Sequence, residues 1–68
     1  MLSDLLMWNK IGRIVTRLSE QMNIDIATAL DMFYRSKTCA DLHNPETELY
    51  LYGDLYIADE FTRELATK

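Results

Sequence analysis

The sequence has few of the residues that build disulfides, metal sites and tight turns. It contains one cysteine (Cys39), one histidine (His43), one proline (Pro45) and two glycines. A single cysteine excludes an intramolecular disulfide, whereas small secreted domains usually carry several. One cysteine and one histidine provide at most half of a tetrahedral zinc site. We therefore expect a chain that holds neither a metal nor any other cofactor.

Long apolar runs and catalytic motifs are also absent. No run approaches the ~20 apolar residues that span a bilayer, and the first residues lack the basic segment of a signal peptide. The sequence has no phosphate-binding glycine loop, no nucleophile elbow and no zinc-protease motif. Its 68 residues leave room for one domain, residues 1–68. We expect a cytoplasmic protein that is not an enzyme and does not contact a membrane.

Two groups of polar residues come closest to a catalytic site. Cys39 and His43 are four positions apart and would share a helical face, but no orienting group or oxyanion hole accompanies them. Asp59, Glu60 and Glu64 form a carboxylate cluster in which Glu60 and Glu64 would repel each other slightly. We interpret Cys39 as a buried thiol, His43 as an exposed side chain and the three carboxylates as a solvated helix face.

Apolar residues recur every three or four positions in the first third of the chain. This spacing predicts a helix over residues 4–22, with Ser3 as its N-cap and Asn23 closing it. The stripe favours an internal core, with a homodimer seam as the alternative. Gly12 is unfavourable inside a helix, and close approach of another helix would explain it. The residues of the stripe are Trp8, Ile11, Val15, Leu18 and Met22, and Met7 and Ile14 flank it in a second row with Ile11 and Leu18.

Three further helices are predicted. The second runs from Ile26 to about Arg35, with Asp25 as its N-cap. A short third helix runs from about Cys39 to His43 and begins at a capping box over residues 38–41. The last helix runs from about Leu55 to Ala66, with Asp54 as its cap.

The expected fold is all-α: a compact bundle of three main helices plus one short helix, with an extended Leu-Tyr segment before the last helix. That segment, residues 48–52, is β-prone but does not alternate apolar and polar residues. Since one strand cannot form a sheet, we expect it to be extended or to form a single turn against the helices. The expected core is Trp8, Ile11, Val15, Leu18, Leu30, Phe33, Phe61 and Leu65.

Charge is distributed unevenly along the chain. Residues 1–37 carry five Lys or Arg and four Asp or Glu, a net charge of +1, while residues 38–68 carry two and seven, a net charge of −5. Such a field attracts partners of opposite charge and disfavours nucleic acid. An acidic surface without a binding role is the simpler alternative. A DNA-binding accessory protein is a further alternative, and it would rely on Lys10, Arg13, Arg17, Arg35 and Lys37.

The acidic half also holds three of the four tyrosines. Tyrosine is enriched at interface hot spots, because it buries a large area at low entropic cost. Acidic neighbours would speed association with a basic partner. We therefore expect a non-enzymatic module that binds a partner protein through this half. The predicted partner-binding residues are Tyr50, Tyr52, Tyr56, Glu46, Glu48, Asp54, Asp59 and Glu60.

The order of residues from Asn23 onward carries a recurring pattern. Its positions are Ala29, Leu30, Phe33, Tyr34, Ser36, Leu42, Leu49, Tyr50, Tyr56, Ile57, Phe61 and Glu64. This pattern resembles a family of small, uncharacterised bacterial helical proteins. Members are often encoded beside a larger protein similar to ADP-ribosyltransferase toxins. The resemblance implies an accessory or antitoxin-like role, and it carries no catalytic signature.

Overall fold

Helices dominate the computed structural model, which describes residues 3–67. The main helices are α1 (Asp4–Met22), α2 (Ile26–Tyr34) and α4 (Asp54–Ala66), and α3 (Lys37–His43) is short. Two single 3-10 turns, Pro45–Thr47 and Leu49–Leu51, connect α3 to α4. The described residues form no strand. The predicted all-α bundle of three main helices and one short helix is therefore confirmed.

The first two helices begin and end as their capping residues predict. The Ser3 hydroxyl accepts a hydrogen bond from the Leu6 amide at 3.3 Å, and the Asp25 carboxylate accepts one from the Ala27 amide at 3.2 Å. Asn23 closes α1 in the left-handed region, with φ 53°, where asparagine is tolerated better than most residues. These local interactions fix the hairpin of α1 and α2.

The predicted start of α3 is wrong by two residues. Ser36 caps the helix, since its hydroxyl accepts a hydrogen bond from the Cys39 amide at 3.0 Å. Thr38 lies inside the helix, and its hydroxyl donates to the Glu64 carboxylate of α4 at 2.7 Å. Glu64 therefore contacts α3 and does not belong to the solvated face that we expected.

The core lies where α1 packs on α2 and α4. An edge-to-face contact between Phe33 and Phe61, with ring centroids 5.5 Å apart, joins α2 to α4 at its centre. Of the expected core residues, Leu30 and Leu65 are only partly buried. The buried apolar residues are Met7, Ile11, Ile14, Val15, Leu18, Ala29, Phe33, Cys39, Leu42, Ile57, Ala58 and Phe61.

Trp8 was expected in the core, but 60% of its surface is exposed. The buried face of α1 includes Met7, Ile11 and Ile14, and Trp8 lies about 100° further around the helix from Met7. Its ring instead meets Tyr34 edge-to-face at the margin of α2, with centroids 6.0 Å apart. The apolar face of α1 is therefore rotated toward Met7 and Ile14 relative to the predicted stripe.

Gly12 also differs from the sequence-based expectation. It lies on the exposed face of α1, and a Cβ atom built there would meet no atom within 4 Å. No other helix of the described chain approaches it closely, so packing inside this chain does not explain the glycine.

Helix α4 begins at Asp54, one residue before its predicted start. Gly53 is the N-cap and provides no side-chain hydrogen bond, so Asp54 is not the cap that we expected. The segment before it forms the 3-10 turn Leu49–Leu51, as the single-turn alternative predicted. Within residues 3–67, no helix has both the length and the hydropathy to cross a membrane.

Candidate protein-interaction surface

Two of the three predicted tyrosines form a stacked pair on the surface. The rings of Tyr52 and Tyr56 have centroids 4.5 Å apart and an interplanar angle of 19°. Tyr52 is 48% exposed and Tyr56 is 45% exposed. Tyr50 lies apart from this tyrosine pair, because it packs against the core and is half-buried. Tyr50 therefore contributes to the packing of the core, whereas Tyr52 and Tyr56 are available to a partner.

Two leucines extend this exposed area, and the sequence-based prediction missed them. Leu51 is 65% exposed and Leu55 is 60% exposed. Together with the tyrosine pair they form what we call the tyrosine–leucine patch: Leu51, Tyr52, Leu55 and Tyr56. Single exposed apolar residues are common, but four within six consecutive positions are typical of an interaction site. The lack of apolar–polar alternation in this segment was the available signal.

A buried lysine fixes the backbone of the patch to α1. The Lys10 side chain is only 10% exposed, and its ammonium donates to the Tyr52 carbonyl at 2.8 Å and to Asp54 Oδ1 at 3.2 Å. The Tyr52 amide donates in turn to the Leu49 carbonyl at 3.0 Å. Both backbone polar groups of Tyr52 are therefore occupied, which restricts the position of its ring.

Asp54 completes this network between α1 and α4. Its second carboxylate oxygen accepts a hydrogen bond from Arg13 Nε at 2.7 Å. Burial acts to raise the pKa of Asp54, but the hydrogen bonds and charges of Arg13 and Lys10 outweigh it, so the pKa lies below its ordinary value of 3.8. Asp54 was predicted to attract a partner, and the structure shows that two cations of its own chain already contact it.

The remaining predicted carboxylates fall into two groups. Arg63 binds Asp59 at 2.9 Å and Glu60 at 2.8 Å, so these acids share a cation on the outer face of α4. Glu46 and Glu48 form no ion pair among the described residues, and both are exposed in the loop before the patch. Among the predicted partner-binding carboxylates, Glu46 and Glu48 are therefore the two without a cation in the described part of the chain.

Most of the cations needed for DNA binding are engaged within the chain. Lys10 and Arg13 contact Asp54, as described above, while Arg35 pairs with Asp31 at 3.3 Å and Lys37 pairs with Asp41 at 3.1 Å. Both i,i+4 pairs are exposed, and such pairs contribute little to stability. They nevertheless reduce the positive charge that a phosphate backbone would meet.

Cys39 and His43 do not form a joint site. Cys39 is buried in the core and His43 is exposed, as expected for each residue. Burial raises the pKa of the Cys39 thiol, which disfavours the thiolate that nucleophilic attack or metal binding requires. Within residues 3–67, no three His, Cys, Asp or Glu side chains are grouped so that they could hold a metal ion.

No protein-family model, curated protein or solved structure matches this chain. The resemblance to small bacterial proteins from Asn23 onward thus stays a prediction.

An open groove adjoins the patch on the side of α1. Its volume is about 830 Å³, and it extends along the outer face of α1 to the start of α4. Leu55 belongs both to this groove and to the tyrosine–leucine patch. A partner seated on the patch would therefore have additional concave surface beside it. The lining residues include Trp8, Gly12, Arg13, Arg17 and Leu55.

Proposed function

We propose that this chain is a non-enzymatic protein-interaction module that binds a basic partner protein through the tyrosine–leucine patch. The observation that carries the proposal is the exposed, stacked tyrosine pair on a backbone fixed by Lys10. We further propose that it acts in the cytoplasm in an accessory or antitoxin-like role. That finer role is supported by the resemblance from Asn23 onward.

The arrangement of the tyrosine pair reduces the entropic cost of binding. Ordering a flexible side chain at an interface costs about 0.5–1.5 kcal/mol. The Tyr52 and Tyr56 rings already contact each other, and the Tyr52 backbone is fixed on both its donor and its acceptor side. Glu46 and Glu48 lie in the neighbouring loop and would accelerate association with a basic partner.

The test compares two variants of the full chain. In Tyr52→Ala/Tyr56→Ala both rings of the patch are removed. In the control, Tyr34→Ala, another exposed tyrosine with an aromatic neighbour is removed outside the patch. The unchanged chain and each variant are expressed in the native host and used to capture binding proteins. Proteins whose recovery depends on the tyrosine pair are identified, purified and tested for direct binding.

Each tyrosine is expected to act as a hot spot of about 2 kcal/mol, which corresponds to a roughly 30-fold weaker affinity on truncation. Tyr34→Ala should bind as the unchanged chain does. If no purified protein binds with a dependence on Tyr52 or Tyr56 while both variants stay folded, the patch is not the binding surface. An antitoxin-like role requires in addition that the partner be a toxin-like protein.

A homodimer is the second candidate. Ile11, Val15 and Leu18 of the predicted seam are buried inside the chain, so they are not available to a second copy. A dimer would have to use the exposed N-terminal side of α1, where Leu5 is 70% and Trp8 60% exposed. Sedimentation equilibrium at micromolar concentration tests this candidate, since a mass of 8.0 kDa throughout would reject it.

A further inference from the structure

We propose that the tyrosine pair selects arginine over lysine in the basic partner. This inference rests on the proposed function and adds the chemical identity of the side chain that is recognised. It commits the patch to one occupant, a segment of a partner protein in which arginine stands beside apolar residues.

The tyrosine pair presents a surface that suits a guanidinium group. The two rings are nearly parallel, at 19°, and about half of each side chain remains exposed. A guanidinium is planar and weakly hydrated, so it stacks on an aromatic face and retains N–H groups for further hydrogen bonds. A lysine ammonium is compact and strongly hydrated, and it loses more hydration on the same surface.

Two carboxylates lie one helical turn beyond Tyr56 on α4. Asp59 and Glu60 follow Tyr56 by three and four residues, which places them on the same side of the helix. Arg63 already donates to both carboxylates, at 2.9 and 2.8 Å. The two acids are thus spaced to share one guanidinium group. An arginine stacked on Tyr56 would have carboxylate acceptors within one helical turn.

The carboxylates of the loop before the patch, Glu46 and Glu48, disfavour two other occupants. A second copy of the chain would bring the Glu46 and Glu48 carboxylates close to another acidic surface, and like charges weaken such a contact. A nucleic acid would bring its phosphates toward the same carboxylates. The exposed Leu51 and Leu55 flank the tyrosines in sequence and would contact apolar neighbours of the arginine.

The test uses two synthetic peptides of about twelve residues that share one amphipathic sequence. All cationic positions are arginine in the first peptide and lysine in the second. Each is titrated into the full, 15N-labelled chain, and the amide shifts of residues 51–56 provide the site and the affinity. The arginine peptide is expected to bind about fivefold more tightly, equivalent to about 1 kcal/mol.

The variant Tyr52→Leu/Tyr56→Leu retains apolar bulk but removes both aromatic rings. It should abolish the preference, so that both peptides bind with equal affinity. The control Tyr34→Leu should retain the fivefold preference. The dispersion of the amide spectrum shows whether each variant is folded.

Three results would overturn the inference. Equal affinity of both peptides at residues 51–56 would reject the arginine preference and leave the basic-partner proposal intact. A preference that survives Tyr52→Leu/Tyr56→Leu would assign it to the carboxylates alone. Absence of any shift at residues 51–56 would also reject the arginine preference. The proposed function would then be tested separately by the capture experiment with Tyr52→Ala/Tyr56→Ala.

Discussion

The contact between α4 and α3 provides the sharpest test of how this small domain is stabilised. Glu64 Oε1 accepts hydrogen bonds from the Thr38 amide at 2.8 Å and from the Thr38 hydroxyl at 2.7 Å. Its Oε2 accepts one from the Lys37 amide at 2.9 Å. The first amides of a helix lack partners within the helix. Glu64 therefore satisfies α3 from a position 26 residues further along the chain.

The magnitude follows from these three hydrogen bonds. An intramolecular hydrogen bond contributes about 1 kcal/mol net to stability, so the loss of all three in Glu64→Ala should lower the free energy of unfolding by about 3 kcal/mol. The negative charge at the positive end of the helix dipole adds to this loss. In a domain of this size, 1 kcal/mol shifts the melting temperature by about 4–8 °C. We expect a decrease of roughly 12–24 °C.

Urea and thermal unfolding, followed by circular dichroism, would measure the effect. The matched control is Glu60→Ala, which lies on the same helix and loses an ion pair with the exposed Arg63. Such pairs contribute about 0.5 kcal/mol or less. If Glu64→Ala and Glu60→Ala destabilise the chain equally, the contact with α3 contributes nothing beyond a surface charge.

A second variant separates the hydroxyl from the backbone contacts. Thr38→Val keeps the shape of a side chain that is 5% exposed but removes the donor to Glu64. It should cost about 1 kcal/mol in the original chain. In the Glu64→Ala background the same substitution should cost much less, because the acceptor has already been removed. Additive effects would mean that the two side chains do not interact.

Three further predictions concern single positions. Gly12→Ala should raise the free energy of unfolding by about 1 kcal/mol in urea titration, because the new Cβ meets no atom and alanine favours the helix; a destabilisation would show that the glycine has a structural role. Because the pKa of Asp54 is lowered on folding, its stabilising contribution is complete above the unfolded value and is lost as the pH falls through the lower, folded value. Asp54→Asn should therefore show a smaller loss of stability than the unchanged chain when urea titrations are repeated from pH 6 down to pH 2, and an identical slope would contradict the pKa shift. Arg63→Ala frees Asp59 and Glu60, so we expect faster association with the arginine peptide at low salt in stopped-flow measurements, little change in stability and no advantage at high salt.

Interactions within one helical turn were predictable from the sequence. Ser3, Asn23 and Asp25 act on neighbouring amides or on their own backbone, and their effect does not depend on the rest of the fold. The prediction was wrong where a distant residue intervened. Ser36 rather than Thr38 caps α3, and Glu64 of α4 accepts hydrogen bonds from the first two amides of that helix. No spacing in the sequence relates Thr38 to Glu64 before the packing of α4 is known.

The exposure of Trp8 has a similar origin. Both Met7 and Trp8 fit a helical stripe, and the choice between them depends on where α2 and α4 contact α1. Met7 lies within the core and Trp8 lies at its edge against Tyr34. Periodicity defines an apolar face to within about one residue, or 100°, and tertiary packing selects its centre. For the candidate surface, composition located the tyrosines, but the separation of Tyr50 from the tyrosine pair required the fold.

The same network that packs α4 on α1 also determines which side chains the patch exposes. Lys10 is buried in the bundle, and its ammonium contacts the Tyr52 carbonyl and Asp54. A buried ammonium group requires such partners, because burying it unpaired is costly. The polar backbone of Tyr52 is therefore held toward α1, while its ring remains almost half exposed beside Tyr56. Removing the Lys10 ammonium would leave the Tyr52 carbonyl without its donor, so it would change the surface beside Tyr56 as well as the core.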